Sequence, residues 1–376
     1  MHRWLEGLAA RLAELRAAGL DRSLARPRGV DFSSNDYLGL SRHARVREGL
    51  LAACAHGPVA APASRLLRGN LAEHEALEAR LAAFKGTEAA LLFPSGYQAN
   101  LAVFSALVEP GDLVVSDEQN HASIIDGLRL ARCTKRIYPH GDLGAAARAL
   151  RERAAGQRAF LVTESYFSMD ADVAELAAAA DLADREDAVL IVDDAHATGL
   201  WGEARASGLC EHCGVERRAG VIVSTLGKAL GLWGAFVAGP SLAVEYLLQR
   251  ARPFIFSTAP SPLLCAGAHA TLDVLAAEPE RRARVFDLAN RLRGALQARD
   301  LDTLQSVGPI VPVVLGANER ALAVASAVRD RGFDVRAIRP PSVAAGTARL
   351  RLSVHADHSD AEIDALARAV AEGAES

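Results

Sequence analysis

The stretch AVLIVDDAHATG, residues 188–199, joins five apolar residues to two consecutive carboxylates and a histidine. A short apolar run of this kind predicts a buried β-strand, which the polar side chains follow directly. In open α/β sheets, ligands bind at the carboxyl ends of the strands. Asp193 and His196 are therefore candidate ligand-binding residues. The alternative is that one aspartate caps a following helix and that the histidine is structural.

Similar apolar runs recur along the chain, separated by Ala- and Arg-rich helical patterns. They lie at 89–93, 113–115, 159–163, 221–225 and 235–238. This alternation predicts an α/β domain with a mostly parallel sheet. From about residue 265 the pattern becomes two long helices, then strands near 310–315, 335 and 349–354 with a helix between the first two and another after Ser359. We therefore expect an N-terminal helix and strand segment (1–40), a large α/β domain (41–265) and a small α+β domain (266–376).

Composition excludes several classes of protein. The chain has 376 residues, a net charge of −4 and a pI near 6.3, which gives no electrostatic reason to expect nucleic acid or a membrane as partner. Five scattered cysteines favour a reducing cytoplasm, and Cys210 and Cys213 lack the second ligand pair of a zinc site, so no metal is expected. The N-terminus predicts an amphipathic helix rather than a signal peptide. We expect a cytoplasmic protein.

A reaction that needs the primary amine of a lysine has few candidates, because the chain contains only three lysines. Lys228 lies in VIVSTLGKALG, residues 221–231, where a predicted buried strand ends in a glycine-flanked turn that lets the backbone approach a ligand. A phosphate-binding P-loop is excluded, because Ile222 and Ala229 stand where it requires Gly and Ser or Thr. Lys85 at a helix end and Lys135 among arginines are typical of surface loops.

Further polar groups follow other predicted strands. In LLFPSGYQAN, residues 91–100, a helix begins near Gly96, and its first amides are suited to binding phosphate. His121, in NHAS, is either a structural histidine or one that stacks on an aromatic cofactor. Arg349 and Arg351 alternate with leucines and share one strand face. They are either a fork for a substrate carboxylate or the protection of an exposed edge strand.

Taken in order, these motifs resemble those of the α-oxoamine synthases, which are fold-type-I enzymes that use pyridoxal 5'-phosphate (PLP). The motifs are SNDYLGL (34–40), NHAS (120–123), FSMD (167–170), VDDAH (192–196), TLGKALG (225–231) and RPPSV followed by TARLRL (339–352). The resemblance runs from about residue 30 to the C-terminus. It implies a mostly parallel large-domain sheet with a smaller α+β C-terminal domain.

The resemblance also implies roles for individual residues. Lys228 is expected to bind PLP as a Schiff base and then to act as the general base. Asp193 is expected to pair with the pyridine nitrogen, His196 to bond the ring hydroxyl and His121 to stack on the ring.

Other residues are implied in binding. Asn35 and Arg351 are expected to hold the carboxylate of the amino acid. Homodimer formation is implied, with Ser257 or Thr258 reaching the cofactor of the second subunit. The further expected cofactor-binding residues are Ser168 and, at the phosphate, the backbone of Gly96 and Tyr97 together with Thr225.

Within this family, RPPSV followed by GTARLRL favours the enzyme of biotin biosynthesis that condenses L-alanine with a pimeloyl thioester of coenzyme A or acyl carrier protein. NHASIIDG and TLGKALG are shared with glycine C-acetyltransferase, which remains an alternative. A fold-type-I aminotransferase is a more distant one, and a PLP-free structural homologue is disfavoured because every position with an assigned role is filled.

Two segments depart from the family pattern. Residues 57–65 read GPVAAPASR where a Gly-x-Gly-Gly-Ser segment is usual, and Trp233 replaces a small residue. Ala and Pro cannot adopt every glycine conformation, so the loop is expected to change the acyl-substrate side. Trp233 is expected to narrow the acyl pocket or to pack at the dimer interface.

Overall fold

The computed structural model describes residues 2–22 and 24–375. They divide into two compact units. The large unit contains Leu38–Phe167 and Val173–Arg282. The small unit contains the chain up to Tyr37, the segment Ser168–Asp172 and the chain from Ala283 onward. The domain boundaries expected near residues 40 and 265 stay predictions.

The strands are β1 Val30–Asp31, β2 Ala89–Phe93, β3 Leu113–Asp117, β4 Thr134–Tyr138, β5 Ala159–Glu164, β6 Val189–Asp193, β7 Ala219–Thr225, β8 Ala235–Gly239, β9 Ile310–Gly316, β10 Phe333–Asp334, β11 Ala337–Ile338 and β12 Ala348–Ser353. The α-helices are α1 Arg3–Ala17, α2 Ala44–His56, α3 Ala72–Lys85, α4 Gly96–Leu107, α5 Ala122–Ala131, α6 Leu143–Arg151, α7 Leu176–Arg185, α8 Leu209–His212, α9 Ser241–Arg250, α10 Arg252–Ile255, α11 Pro262–Ala277, α12 Glu280–Gln297, α13 Asn318–Asp330 and α14 Asp360–Glu375. A 3₁₀ helix covers Leu40–Arg42 and a π-helical turn covers Arg65–Gly69.

The large unit is built on a seven-stranded sheet in the order β2-β8-β7-β6-β5-β3-β4. Strand β8 is antiparallel to both of its neighbours, and all other pairs are parallel. The predicted mostly parallel sheet is therefore confirmed. The strands with continuous apolar runs, including the terminal strand β2, pack with helices such as α4 and α5 into one hydrophobic core. The polar residues that follow β5, β6 and β7 consequently come together at one edge.

Strand β4 and the position of Lys85 differ from what the sequence predicted. In β4, four of the five side chains are exposed, because the strand lies at the edge of the sheet beside β3 only. It therefore lacks an apolar run, and Lys135 is an exposed residue of this strand rather than of a loop. The surface position expected for Lys85 is wrong, because the last residue of α3 is buried.

The small unit contains a three-stranded antiparallel sheet in the order β11-β12-β9, and β1 pairs with β10 in parallel. Because β12 is the central strand, it is not an exposed edge. Both Arg349 and Arg351 are buried, which excludes edge protection as their role. Helix α1 forms as predicted, although none of its side chains is buried. None of the helices described is long and apolar enough to cross a membrane.

Candidate active site

Asp193 and Glu164 end the neighbouring strands β6 and β5 and are paired in register. The Asp193 carboxylate is buried and is held by neutral donors. Its Oδ2 accepts a hydrogen bond from Asn100 Nδ2 at 2.7 Å, and its Oδ1 accepts one from the Ala195 amide at 3.0 Å. Asn100 is on α4, one turn after Gly96. The Asp193 carboxylate is therefore held in a fixed position at the carboxyl ends of the parallel strands.

A chain of hydrogen bonds connects Asp193 to His121. Asn100 Nδ2 also donates to Ser123 Oγ at 2.9 Å, and Ser123 Oγ lies 2.7 Å from His121 Nδ1. Because Nδ1 also accepts from the Ser123 amide at 3.2 Å, this ring nitrogen carries no proton. Desolvation and the positive charge of Lys228 lower the pKa of His121, against the opposing charge of Asp193. His121 is therefore a neutral imidazole, and the residue as a whole remains exposed.

Lys228 follows β7 in a turn that its neighbours hold in shape. Thr225 Oγ1 donates to the Gly234 carbonyl at 2.9 Å and accepts from the Gly227 amide at 3.0 Å. The Gly231 amide closes the turn on the Lys228 carbonyl at 2.8 Å. Gly231 has a φ of +67°, and an added Cβ would lie 2.4 Å from a backbone nitrogen, so only glycine fits there. This turn leaves the Lys228 side chain half-buried.

Glu164 is a member of the site to which the sequence analysis gave no role. Burial and the neighbouring Asp193 raise its pKa well above the ordinary range, although Lys228 and the His121 amide oppose the shift. This environment favours a protonated acid that can donate a hydrogen bond. The signal for it was its position, since the ends of adjacent parallel strands meet at one edge of a sheet. The structure thus brings Lys228, Asp193, His121 and Glu164 together.

The start of α4 offers backbone donors. Ser95 caps the helix by accepting a hydrogen bond from the Gln98 amide, while the amides of Gly96 and Tyr97 belong to the first turn, which has no intrahelical acceptors. An added Cβ on Gly96 would meet nothing within 4 Å, so the space there is open. The Tyr97 hydroxyl donates to Asp126 on the surface, so the backbone amide is the donor that this residue offers to a phosphate.

His196 is buried two residues beyond Asp194, and its ring lies edge-on to Tyr166 with the ring centres 6.4 Å apart. Ser257 and Thr258 lie elsewhere in the large unit. They line a groove of about 390 Å³ whose other lining residues are Ser64, Leu66, Leu67, Ile255 and Phe256. Thr258 forms a β-bridge with Ser64. The lining of this groove does not include Lys228, Asp193, His121 or Glu164.

In the small unit, Arg351 is surrounded by neutral oxygen atoms. Its Nη2 donates to Asn35 Oδ1 at 3.0 Å and to the Tyr37 hydroxyl at 3.1 Å. Its Nε donates to the Ser168 carbonyl at 2.6 Å and its Nη1 to Ser353 Oγ at 2.9 Å. Burial raises the pKa of Tyr37 despite the nearby Arg351, so the phenol stays neutral. Among the residues described, no carboxylate forms an ion pair with Arg351.

Arg349, two residues earlier on β12, has a different environment. Its Nη1 donates to the carboxylate of Asp170 and to the Met169 carbonyl at 3.1 Å. The protein itself therefore neutralises Arg349. Between the two arginines, Arg351 is the one whose charge is available to an anion.

The donors in the large unit fit the PLP that the resemblance implies. Asp193 is an anchored carboxylate suited to a protonated pyridine nitrogen. His121 offers a neutral aromatic ring, Lys228 an amine, and the first turn of α4 backbone amides for a phosphate. Apart from Ser257, Thr258 and Ser168, the predicted cofactor residues lie near the carboxyl ends of the parallel strands of the large unit.

Comparison with known proteins decides the family. The model of the family "Aminotransferase class I and II" matches residues 27–370. The 8-amino-7-oxononanoate synthase of Anaeromyxobacter dehalogenans strain 2CP-C is 49% identical over an alignment of 382 residues that covers 98% of this chain and 96% of the relative. This chain belongs to the 8-amino-7-oxononanoate synthase family. The predicted resemblance is thereby confirmed.

Solved structures agree with this assignment. Serine palmitoyltransferase from S. paucimobilis, with bound PLP–myriocin aldimine, has a TM-score of 0.91 at 27% identity. The alignment covers 98% of this chain and 97% of that chain. The 8-amino-7-oxononanoate synthase from Francisella tularensis has a TM-score of 0.78 at 27% identity, with 92% of this chain and 97% of that chain covered. The predicted fold-type-I architecture is confirmed.

Proposed function

We propose that this chain catalyses the decarboxylating condensation of L-alanine with a pimeloyl thioester, which forms 8-amino-7-oxononanoate in biotin biosynthesis. The observation that carries the proposal is the cluster of Lys228, Asp193, His121 and Glu164 in a chain of this family. When bound, PLP supplies an electron sink that stabilises negative charge at the Cα of the amino acid. The protein must then hold that cofactor, orient the amino acid and move one proton.

The large-unit residues would divide these tasks. Lys228 would attach the cofactor through its amine and take the proton from Cα as general base. Asp193, fixed by Asn100, would keep the pyridine nitrogen protonated. His121 would stack on the ring through its neutral imidazole, and His196 would bond the ring hydroxyl.

The phosphate would be held by the backbone amides of Gly96 and Tyr97 and by Thr225. The turn that contains Lys228 already uses the Thr225 hydroxyl, so a phosphate oxygen would join an existing network there. Ser168 is also proposed as a cofactor-binding residue. Its carbonyl oxygen already binds Arg351 Nε.

Asn35 and Arg351 would hold the carboxylate of L-alanine. Arg351 is buried, donates from all three of its nitrogens to neutral partners and has a planar geometry that matches a carboxylate. Asn35 would then donate through its amide nitrogen, because its Oδ1 already accepts from Arg351 and from the Tyr37 hydroxyl. Both residues belong to the small unit.

We further propose a homodimer, in which Ser257 or Thr258 reaches the phosphate of the second subunit. Three large apolar side chains of their groove are exposed, namely Leu66, Leu67 and Phe256. Such a patch on a soluble enzyme is typical of an interface. Light scattering is expected to give a dimer, and a fully active monomer would refute this part.

Thiol release from a panel of acyl thioesters and amino acids tests the function. We expect the highest kcat/KM with L-alanine and a pimeloyl thioester, and none with Lys228→Ala. Higher kcat/KM with glycine and acetyl-CoA would transfer the assignment to glycine C-acetyltransferase. Amino transfer without thiol release would instead indicate an aminotransferase.

A further inference from the structure

The large unit contains a second buried lysine, beside the Lys228 cluster. The side chain of Lys85 is 1% exposed and that of Asp194 is fully buried, with Nζ 2.7 Å from Oδ2. Nζ also donates to Thr198 Oγ1 at 2.9 Å and to the carbonyl of Ser207. An ammonium group has three N–H bonds, and each of them has an acceptor here. Because the Lys85 ammonium is buried and all of its donors are used within the protein, we expect it to have a structural role rather than to bind a ligand.

The other oxygen of Asp194 extends the network. Its Oδ1 accepts from Ser165 Oγ at 2.6 Å and from the Leu209 amide at 3.2 Å. Gly208 has a φ of +135°, and an added Cβ would lie 1.9 Å from Asp194 Oδ2. A residue larger than glycine would therefore displace this carboxylate. The carboxylate joins Ser165, which follows β5, to Leu209, the first residue of α8.

Thr198 links the same network to β7. Its Oγ1, which accepts from Lys85, lies 2.8 Å from the Asp194 carbonyl and 3.1 Å from Ser224 Oγ. Ser224 precedes Thr225, which shapes the Lys228 turn. The Lys85 ammonium is thus bonded, directly or through one residue, to the ends of β5, β6 and β7. These three strands carry Glu164, Asp193 and the Lys228 turn.

We propose that Lys85 is a positioning residue for the reaction. Its ion pair with Asp194 fixes the segments that carry Asp193, His196 and Lys228. The proposal rests on the proposed function. A buried pair from which one charge is removed leaves the other uncompensated, and the backbone then shifts or the charge is lost. A displacement of about 1 Å at reacting groups is enough to slow a reaction on the order of 100-fold.

Lys85→Met in the PLP-loaded enzyme tests this role, because methionine keeps much of the length and removes the charge. We expect kcat to fall about 10- to 100-fold. The KM for alanine should change little, because Asn35 and Arg351 lie in the small unit. The absorbance of bound PLP should titrate at a different pH from that of the unsubstituted enzyme. Adding Asp194→Asn should restore part of the lost kcat, because the uncompensated charge is gone.

A milder variant and a matched control separate positioning from stability. Thr198→Val removes one acceptor of Lys85 with little change in shape, and we expect the same spectral shift with a loss of kcat of about threefold. Leu81→Ala leaves a cavity one turn earlier on α3, where Leu81 is fully buried. It should lower Tm without moving the titration of bound PLP.

Equal spectral and kcat changes in Leu81→Ala would overturn the proposal, as would unchanged values in Thr198→Val. These two variants decide the question even if Lys85→Met does not fold. An unsubstituted enzyme that binds PLP through Lys228 but releases no thiol would contradict only the proposed substrates, because the spectral readout needs bound PLP alone.

Discussion

The end of β6 in the large unit and β12 in the small unit each contain two neighbouring groups of like charge. At β6 these are Asp193 and Asp194, both buried. Asp194 forms an ion pair with Lys85, whereas Asp193 accepts hydrogen bonds, among the residues that the structure describes, from the neutral donors Asn100 Nδ2 and the Ala195 amide. The protein therefore neutralises the charge of Asp194, whereas Asp193 keeps its charge and is stabilised by hydrogen bonds from neutral groups.

The arginines of β12 show the same division with the opposite sign. Arg349 is paired with Asp170, while Arg351 donates to carbonyl, hydroxyl and amide oxygens. A buried charge without a counter-ion is costly, and a ligand of opposite charge offsets that cost. Asp193 is therefore suited to bind a cationic group, and Arg351 is suited to bind an anionic one. A protonated pyridine nitrogen and an amino-acid carboxylate meet these requirements.

The largest effect is expected from Lys228→Ala, which should abolish cofactor attachment that borohydride can reduce. The Lys85 amine is paired with Asp194, and Lys135 is exposed on β4, so neither should replace Lys228. Reduction followed by peptide mapping checks this, with Lys135→Ala as a control that should keep full labelling. A reduced cofactor found on a peptide that contains Lys85 would contradict the conclusion that Asp194 holds the Lys85 amine.

Asp193→Asn should keep PLP but lower kcat by about 100-fold or more, by analogy with the loss of an electrostatic donor. An amide cannot stabilise a proton on the pyridine nitrogen. Its Tm should change little, because the partners of Asp193 are neutral. Asp194→Asn should instead lower Tm, since removing one partner of a buried ion pair costs about 3–5 kcal/mol. Near-normal turnover of Asp193→Asn would contradict its role.

Arg351→Ala should raise the KM for alanine far more than the KM for the acyl thioester. Losing a buried pair of charge-assisted hydrogen bonds costs roughly 2–5 kcal/mol, and much of this is uniform binding that appears in KM. Arg349→Ala should leave that KM nearly unchanged and lower stability, because Asp170 loses its partner. Steady-state kinetics of both variants, with alanine and with glycine, compare them. A large alanine effect in Arg349→Ala alone would reverse the assignment.

The sequence predicted the residues whose position on the chain carries the signal. Lys228 and Asp193 follow continuous apolar runs, and a buried strand in a parallel sheet needs such a run. Asn100 and Lys85 were missed because their partners are remote. Asn100 reaches Asp193 across 93 positions, and Lys85 reaches Asp194 across 109. Neither periodicity nor local spacing contains information on such a pairing.

Burial can also suppress a charge, and His358 in the small unit is an instance. Its ring stacks on Phe32 with the centres 4.0 Å apart, its Nε2 donates to the Asp31 carbonyl at 2.9 Å and its Nδ1 accepts from the His355 amide at 3.1 Å. Burial and the neighbouring His355 lower the pKa of His358 to about 4. The folded chain therefore prefers the neutral ring.

The smallest expected effect is an acid sensitivity that this histidine confers. Because the pKa of His358 is about 4 in the folded chain and near 6.5 in the unfolded chain, its contribution is complete above pH 6.5 and is lost as the pH falls towards 4. The loss is about 3 kcal/mol of the free energy of unfolding. Urea unfolding at pH 7 and at about pH 4 should show a smaller difference for His358→Gln, whose amide can still bond to Asp31. An equal difference in both proteins would mean that other groups cause the acid sensitivity, and that charge suppression at this site does not stabilise the fold.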